Sequence, residues 1–182
     1  FFSTSGTEAN EAALKIVRQC KAPKYKILSR YHSYHGATPG SITFTGDPRR
    51  ILAETARSTI DGVRFAPDAY CYRCPFGLNY PQCNIQCARY VDYMIKEEGN
   101  VAAIIVEPIM GNMASTMPQP GWLELIRSLC NEYGIVMIMD EVKTGFRIAP
   151  GGAHEYFGVH GALVTSAKAL GNGFPIAAIA GN

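Results

Sequence analysis

No stretch of the sequence approaches the roughly 18 consecutive apolar residues of a membrane-spanning helix, so no membrane association is expected. No signal peptide is visible either. Neither sign of charge dominates. Seventeen Lys and Arg stand against 15 Asp and Glu, a net +2, which gives no electrostatic reason to expect nucleic acid as a partner. Internal repeats and low-complexity tracts are absent, which excludes solenoid arrays. The turn Ser5-Gly6-Thr7 has neither the Gly-Lys-Ser/Thr of a P-loop nor a Gly-x-Gly-x-x-Gly, so nucleotide binding lacks its usual signatures.

What is present is an alternation of apolar strands and helical stretches. At 182 residues and 47% hydrophobic content, the chain is long enough for one domain with a sizeable core. Helical periodicity covers Glu8 to Cys20, Cys87 to Glu98 and Gly121 to Tyr133. Cys20 and Cys130 read as core residues on helix faces. Between the helices lie short apolar runs that read as strands buried on both faces. The fold class this predicts is α/β, with helices layered around a mainly parallel sheet.

The strand-like runs end in residues that carry chemistry. Tyr25 to Leu28 leads into Tyr34-His35-Gly36, Val101 to Val106 into Glu107, Ile135 to Met139 into Asp140-Glu141, and Ala162 to Thr165 into Lys168. In open α/β sheets functional groups gather at the carboxyl ends of strands. Lys168 is badly placed for solubility and well placed for reaction, because partial desolvation lowers an amine's pKa and leaves it free to attack a carbonyl. At the amino terminus, Ser5-Gly6-Thr7 opens a helix whose apolar positions Ala9, Ala12, Ala13, Ile16 and Val17 share a face. Such a turn suits an anion such as phosphate. Taken singly, Lys168 is a loop lysine and Ser5 to Glu8 an ordinary helix cap.

Five motifs in order give the pattern its meaning: Ser-Gly-Thr-Glu-Ala-Asn-Glu (5 to 11), Tyr-His-Gly (34 to 36), Val-Glu-Pro (106 to 108), Asp-Glu-Val-Lys-Thr-Gly-Phe-Arg (140 to 147) and Ala-Lys-Ala-Leu-Gly-Asn-Gly (167 to 173). From Phe2 to Gly181 the chain resembles the class III (ω-amino acid) aminotransferases of the fold type I pyridoxal-phosphate enzymes. Residues 144 to 159 look more like the glutamate-1-semialdehyde aminomutase branch. The resemblance implies the three-layer α/β/α large domain, with residues 1–182 its central part and an N-terminal segment and small C-terminal domain outside the chain, which opens without Met and looks like a fragment.

The resemblance also implies pyridoxal 5'-phosphate as cofactor. Lys168 would hold it as a Schiff base and shuttle the substrate proton, Asp140 would pair with the pyridinium nitrogen, and Ser5, Gly6 and Thr7 would hold the phosphate. Tyr34 would stack on the ring, Val142 would pack on its other face, and Glu107 would organise its phenolic edge. His35, beside the ring, is either catalytic or a hydrogen-bonded residue that shapes the turn, the second being preferred. Gly36 is read as backbone geometry and Glu141 as an orienting residue. Arg147 is not assigned, because the family's carboxylate-binding arginine lies further toward the carboxyl terminus. The implied activity is amino-group transfer between an amine or amino acid and a 2-keto acid, in a cytoplasmic homodimer. Aminomutase, racemase and lyase chemistries share the same residues.

Residues 61–87 read as a Cys-rich loop insertion. Cys71, Cys74, Cys83 and Cys87 form two close pairs, a pattern open to zinc or an iron–sulfur cluster. The second pair is spaced by three residues and the last cysteine begins a helix, so no metal is assigned and the thiols are read as reduced packing groups. A non-catalytic metal-binding module built on this loop is the distant alternative to the enzyme.

Overall fold

The two apolar runs ending in Glu107 and Asp140 lie side by side in the middle of one sheet of seven strands in the computed structural model, which describes residues 1–181. The strands are β1 (Phe2–Ser3), β2 (Lys26–Arg30), β3 (Val63–Ala66), β4 (Val101–Val106), β5 (Val136–Asp140), β6 (Leu163–Ser166) and β7 (Ala177–Gly181). Across the sheet they run β1-β7-β6-β5-β4-β2-β3. Strands β3, β2, β4, β5 and β6 are mutually parallel, while β7 and β1 each pair antiparallel. Strand order reverses between β2 and β4, which is where open α/β sheets form a crevice.

The period of two along each central strand divides its side chains between two cores. Ile104 and Val106 of β4 and Met137 and Met139 of β5 join Val91 and Ile126, which belong to α4 (Gln86–Glu98) and α5 (Trp122–Tyr133). Ala103, Ile105 and Ile138 point the other way and meet Ala13, Leu14 and Val17 of α1 (Gly6–Cys20). The result is the expected three-layer α/β/α arrangement. Ala12 and Ile16 are half-buried, packed beside Ala177 and Ile179 of β7, so the apolar face of α1 is broader than a single stripe.

Helix α1 starts where its caps are. Ser5 is the N-cap, its hydroxyl accepting from the Glu8 N–H at 3.4 Å, while the Glu8 carboxylate accepts the Thr4 N–H at 2.8 Å, a reciprocal closure of otherwise unpaired donors. These bonds hold the Glu8 carboxyl below its usual range, the Thr4 hydroxyl contributing most. Helix α5 stops at Gly134, whose φ of 62° is left-handed and suits glycine.

The departures from expectation are local. Strand β2 starts one residue later and ends two residues further than the run Tyr25 to Leu28. The stretch 61–87 begins not as loop but as the edge strand β3, paired parallel with β2. Strands β1 and β7 and the short helices α2 (Pro39–Thr43), α3 (Ile51–Thr55) and α6 (Ala153–Phe157) are too brief for periodicity to reveal. Cys130 is buried as expected, but Cys20 is exposed at the last residue of α1.

Ile126 is fully buried between α5 and the sheet, whereas Leu52 is 67% exposed. Ile126→Ala should therefore cost about 2–5 kcal/mol of unfolding free energy in a urea titration, and Leu52→Ala within about 0.5 kcal/mol. Equal losses at the two positions would contradict the core described here.

Candidate active site

The carboxyl ends of β2, β4, β5 and β6 and the amino terminus of α1 converge on one cleft of ≈ 360 Å³, within the usual size range of small-molecule sites. Every residue expected at the cofactor lines it: Ser5, Gly6 and Thr7 from α1, Tyr34 and His35 after β2, Glu107 after β4, Asp140 and Val142 around the end of β5, and Lys168 after β6.

Asp140 is the most heavily tied of these. One carboxylate oxygen, Oδ2, is 2.6 Å from His35 Nδ1 and accepts the Asn10 side-chain N–H at 2.9 Å, while Oδ1 accepts the Val142 N–H at 3.0 Å. Asn10 also donates to the His35 carbonyl at 2.7 Å and accepts the Thr165 hydroxyl at 2.7 Å. The network joins α1, β5, β6 and the loop after β2. All of its side chains are buried, so removing one member leaves others unpaired in a region where that is costly. His35 lies at the cleft, bonded through Nδ1 to Asp140 and through its backbone N–H to the Thr45 hydroxyl at 2.9 Å. Its Nε2 is buried with no hydrogen-bond partner.

Glu107 works as a tie between loops. Its carboxylate accepts the Tyr34 N–H at 2.8 Å and the Gly111 N–H at 3.0 Å. Its carbonyl accepts from the buried Arg30 guanidinium at 2.5 Å. Arg30 stacks over the Trp122 ring at 5.0 Å, and burial pulls its guanidinium below its usual value against the opposing pull of Glu107 and Asp68.

At the other end of the cleft, the first N–H groups of α1 have no intrahelical partner, which makes this terminus suited to an anion. The Thr7 hydroxyl is 2.9 Å from that of Thr38 and also bonds Ser41. Gly6 packs directly against Val142: a Cβ there would lie 2.8 Å from Val142 Cγ1. Gly36, with φ of 141°, has no room for a Cβ, which would fall 2.3 Å from the hydroxyl oxygens of Thr7 and Ser41. Tyr34 presents its ring at the cleft with the Arg49 guanidinium 4.3 Å from its centroid.

Lys168 sits just beyond β6 with a left-handed φ of 48°, a conformation that costs a non-glycine residue about 1–3 kcal/mol and that tends to be kept at functional positions. Burial lowers its pKa, with Asp140 and Glu107 pulling it up and Lys143 and Arg147 pushing it down. The amine is thus more readily neutral than an ordinary lysine's.

The sequence profile of the class-III aminotransferases matches residues 1–182. The chain belongs to the class-III aminotransferase family. That family is pyridoxal-phosphate dependent. Among its curated relatives are a glutamate-1-semialdehyde 2,1-aminomutase of Methanocaldococcus jannaschii, 40% identical, and a leucine/methionine racemase of Thermococcus litoralis, 34% identical. Each alignment covers 99% of this chain but only 39% of the aminomutase and 41% of the racemase. Among solved structures, an omega-aminotransferase from Paracoccus denitrificans superimposes with a TM-score of 0.90 at 28% identity, covering 100% of this chain and 42% of that one.

Asn10 and Thr38, which line this class-III cleft, and Thr165, which is buried in the network behind it, were not singled out from sequence. Asn10 carried a signal: it is a polar residue three, four and seven positions from the buried Ala13, Leu14 and Val17, on a face that is otherwise apolar. Thr38 and Thr165 gave no comparable sign. Glu141 does not reach the cleft. It accepts the Ala153 and His154 N–H groups at 2.5 and 2.8 Å and the Thr144 hydroxyl at 3.0 Å, anchoring α6. Arg147, with Lys143, lines a neighbouring cavity of ≈ 410 Å³ that also touches Lys168.

Because burial lowers the Lys168 pKa, the unfolded chain binds more protons between the folded and unfolded values, and this residue makes stability rise with pH across that window. In the cofactor-free protein, Lys168 should acylate at lower pH than in the unfolded chain when read by peptide mass spectrometry. Asp140→Asn, which removes the largest upward pull, should move that onset lower still; an onset moving upward would contradict the electrostatics described.

Proposed function

We propose that the protein catalyses pyridoxal-phosphate-dependent transfer of an amino group between an amine or amino acid and a 2-keto acid. The observation that carries this reading is that one cleft unites a lysine whose pKa is lowered by partial burial, a buried carboxylate held by three donors, and the anion-accepting end of a helix. The residues fit the cofactor: a phosphate requires N–H donors, found at Ser5, Gly6 and Thr7; a ring nitrogen requires a fixed carboxylate, found at Asp140; an aldehyde requires an amine, found at Lys168. When bound, the cofactor supplies that aldehyde together with a ring able to withdraw electrons from the carbon that loses a proton.

The chain's own groups then divide the work. The α1 terminus and the Thr7 hydroxyl bind the phosphate, screened from the core by the Gly6 and Val142 contact. Asp140, kept from rotating by His35, Asn10 and the Val142 N–H, holds a proton at the ring nitrogen. Lys168 Nζ, its pKa lowered by partial burial, takes the proton from the substrate's Cα and returns it. Glu107 keeps the loops bearing Tyr34 and Gly111 in register on the cleft's flank. We further infer a homodimer, supported by the exposed Phe1, Phe2 and Phe174 toward the β1 and β7 side of the sheet, and tested by sedimentation equilibrium. The six free cysteines suit a reducing, cytoplasmic setting.

A second reading has a specific observation behind it, since the aminomutase and racemase relatives are 34–40% identical to this chain. In these chemistries no keto acid is exchanged with solution. Incubation with amino donors and 2-oxoglutarate or pyruvate separates the readings. Transamination should yield a new amino acid and a stoichiometric keto product. Rearrangement or racemisation without keto release would replace it.

Mixing the protein with pyridoxal phosphate should produce a visible absorption band, and borohydride should fix the cofactor on Lys168. Lys168→Ala should lose the band and at least about 10²–10⁴-fold in turnover. Asp140→Asn should retain the adduct but lose most activity. Full turnover in Lys168→Ala would sink the assignment.

A further inference from the structure

Lys168 borders two cavities, the cleft of ≈ 360 Å³ described above and the neighbouring one of ≈ 410 Å³, and Lys143 belongs to both linings. A molecule presented to the Lys168 amine in the first can therefore reach into the second. The second cavity carries charge of one sign. Lys143, Arg147 and Lys168 border it and its lining contains no Asp or Glu, and among the described residues neither Lys143 nor Arg147 forms an ion pair. Cations gathered without a counter-charge repel one another, and an anion placed between them relieves that cost. Lys168 feels the repulsion: besides burial, Lys143 and Arg147 push its pKa down, against the pull of Asp140 and Glu107.

The two further cations are set in place by different means. Lys143 is half-buried, with its stem laid along Gly111, where a Cβ would fall 2.9 Å from Lys143 Nζ. The floor of that path is fixed, because the Gly111 N–H is bound by the Glu107 carboxylate at 3.0 Å. Lys143 Nζ donates to the Asn112 side-chain oxygen. An ammonium has three donors, so the others remain for a ligand. Arg147 stands at the exposed rim, directly after Phe146, whose φ of 60° is left-handed. For a bulky residue that backbone is an outlier, and packing does not repay it, since Phe146 is 55% exposed. Strain of this kind is kept at ligand clamps. The turn is closed by the Arg147 N–H on the Thr144 carbonyl at 3.1 Å, and Ile109 and Ile148 give the cavity an apolar wall.

We propose that this second cavity is a carboxylate subsite, in which Lys143 and Arg147 hold the acid group of an amino acid whose amine is presented to Lys168. The inference rests on the reading of Lys168 as the amine that serves the reaction, and it narrows the substrate from amines in general to amino acids. A guanidinium meets a carboxylate through paired N–H donors and an ammonium adds a point charge beside it. A simple amine leaves both cations unpaired.

The full chain loaded with pyridoxal phosphate is titrated calorimetrically with pentanoate, which has a carboxylate and no amine, and with uncharged pentanamide. Pentanoate is expected to bind at least about tenfold more tightly. Lys143→Met, which keeps the stem over Gly111, should remove most of that difference, and Lys143→Arg should keep part of it. In turnover, 2-aminopentanoate and 5-aminopentanoate are each compared with pentylamine. The kcat/KM ratio should favour one of the acids, which tells an α-carboxylate from a distal one, and Arg147→Gln should lower that ratio about 10–100-fold, mostly through KM. Equal binding of pentanoate and pentanamide by the unsubstituted protein overturns the subsite, as does a ratio unchanged in Lys143→Met and Arg147→Gln. Absence of turnover with every donor would count against amino-group transfer itself, and the calorimetry would still decide the subsite.

Discussion

The arrangement depends above all on one buried carboxylate. Asp140 has little access to water and accepts hydrogen bonds from three directions, and each donor belongs to a different part of the chain. A charge in such a place is tolerable only while its partners stay in position. The same demand that keeps Asp140 satisfied therefore fixes the helix α1, the loop carrying Tyr34 and His35, and the end of β5 relative to one another. Site geometry and local stability share a single set of bonds.

Arg30 and Glu107 make a second, mechanically separate junction. Strand order reverses between β2 and β4, and a crevice forms because the loops beyond these strands depart in different directions. Glu107 limits that divergence by accepting one N–H from each loop, and Arg30 holds the Glu107 carbonyl from beneath while lying on Trp122. The cleft is thus braced on one flank by Asp140 and on the other by Glu107.

The central part of the fold was legible because it is repetitive. Buried parallel strands such as Val101–Val106 announce themselves as unbroken apolar runs, and α1, α4 and α5 are long enough for a 3.6-residue period to show. Strand β7, Ala-Ala-Ile-Ala-Gly, and the edge strand β3 carry no comparable pattern; they become strands through partners distant in sequence. For the site, the ends of strands pointed to Glu107, Asp140 and Lys168 without knowledge of their contacts. Asn10 was readable only as an anomaly on an apolar face. Thr165 gave no sign, since its part in the network exists only once β6 lies beside α1. The cysteine loop shows the converse: its residues were conspicuous, but only the fold brings them around one cavity.

The contact between Gly6 and Val142 has a consequence for how the cleft responds to its surroundings. Two parts of its wall meet through a dispersion contact so close that not even a methyl group fits between them. Such a contact has no charge to screen and no proton to lose. The spacing of the α1 terminus from β5 is accordingly insensitive to acidity and salt, whereas the charge state at Lys168 is sensitive to both. The slot keeps its gauge while its reactivity is tuned.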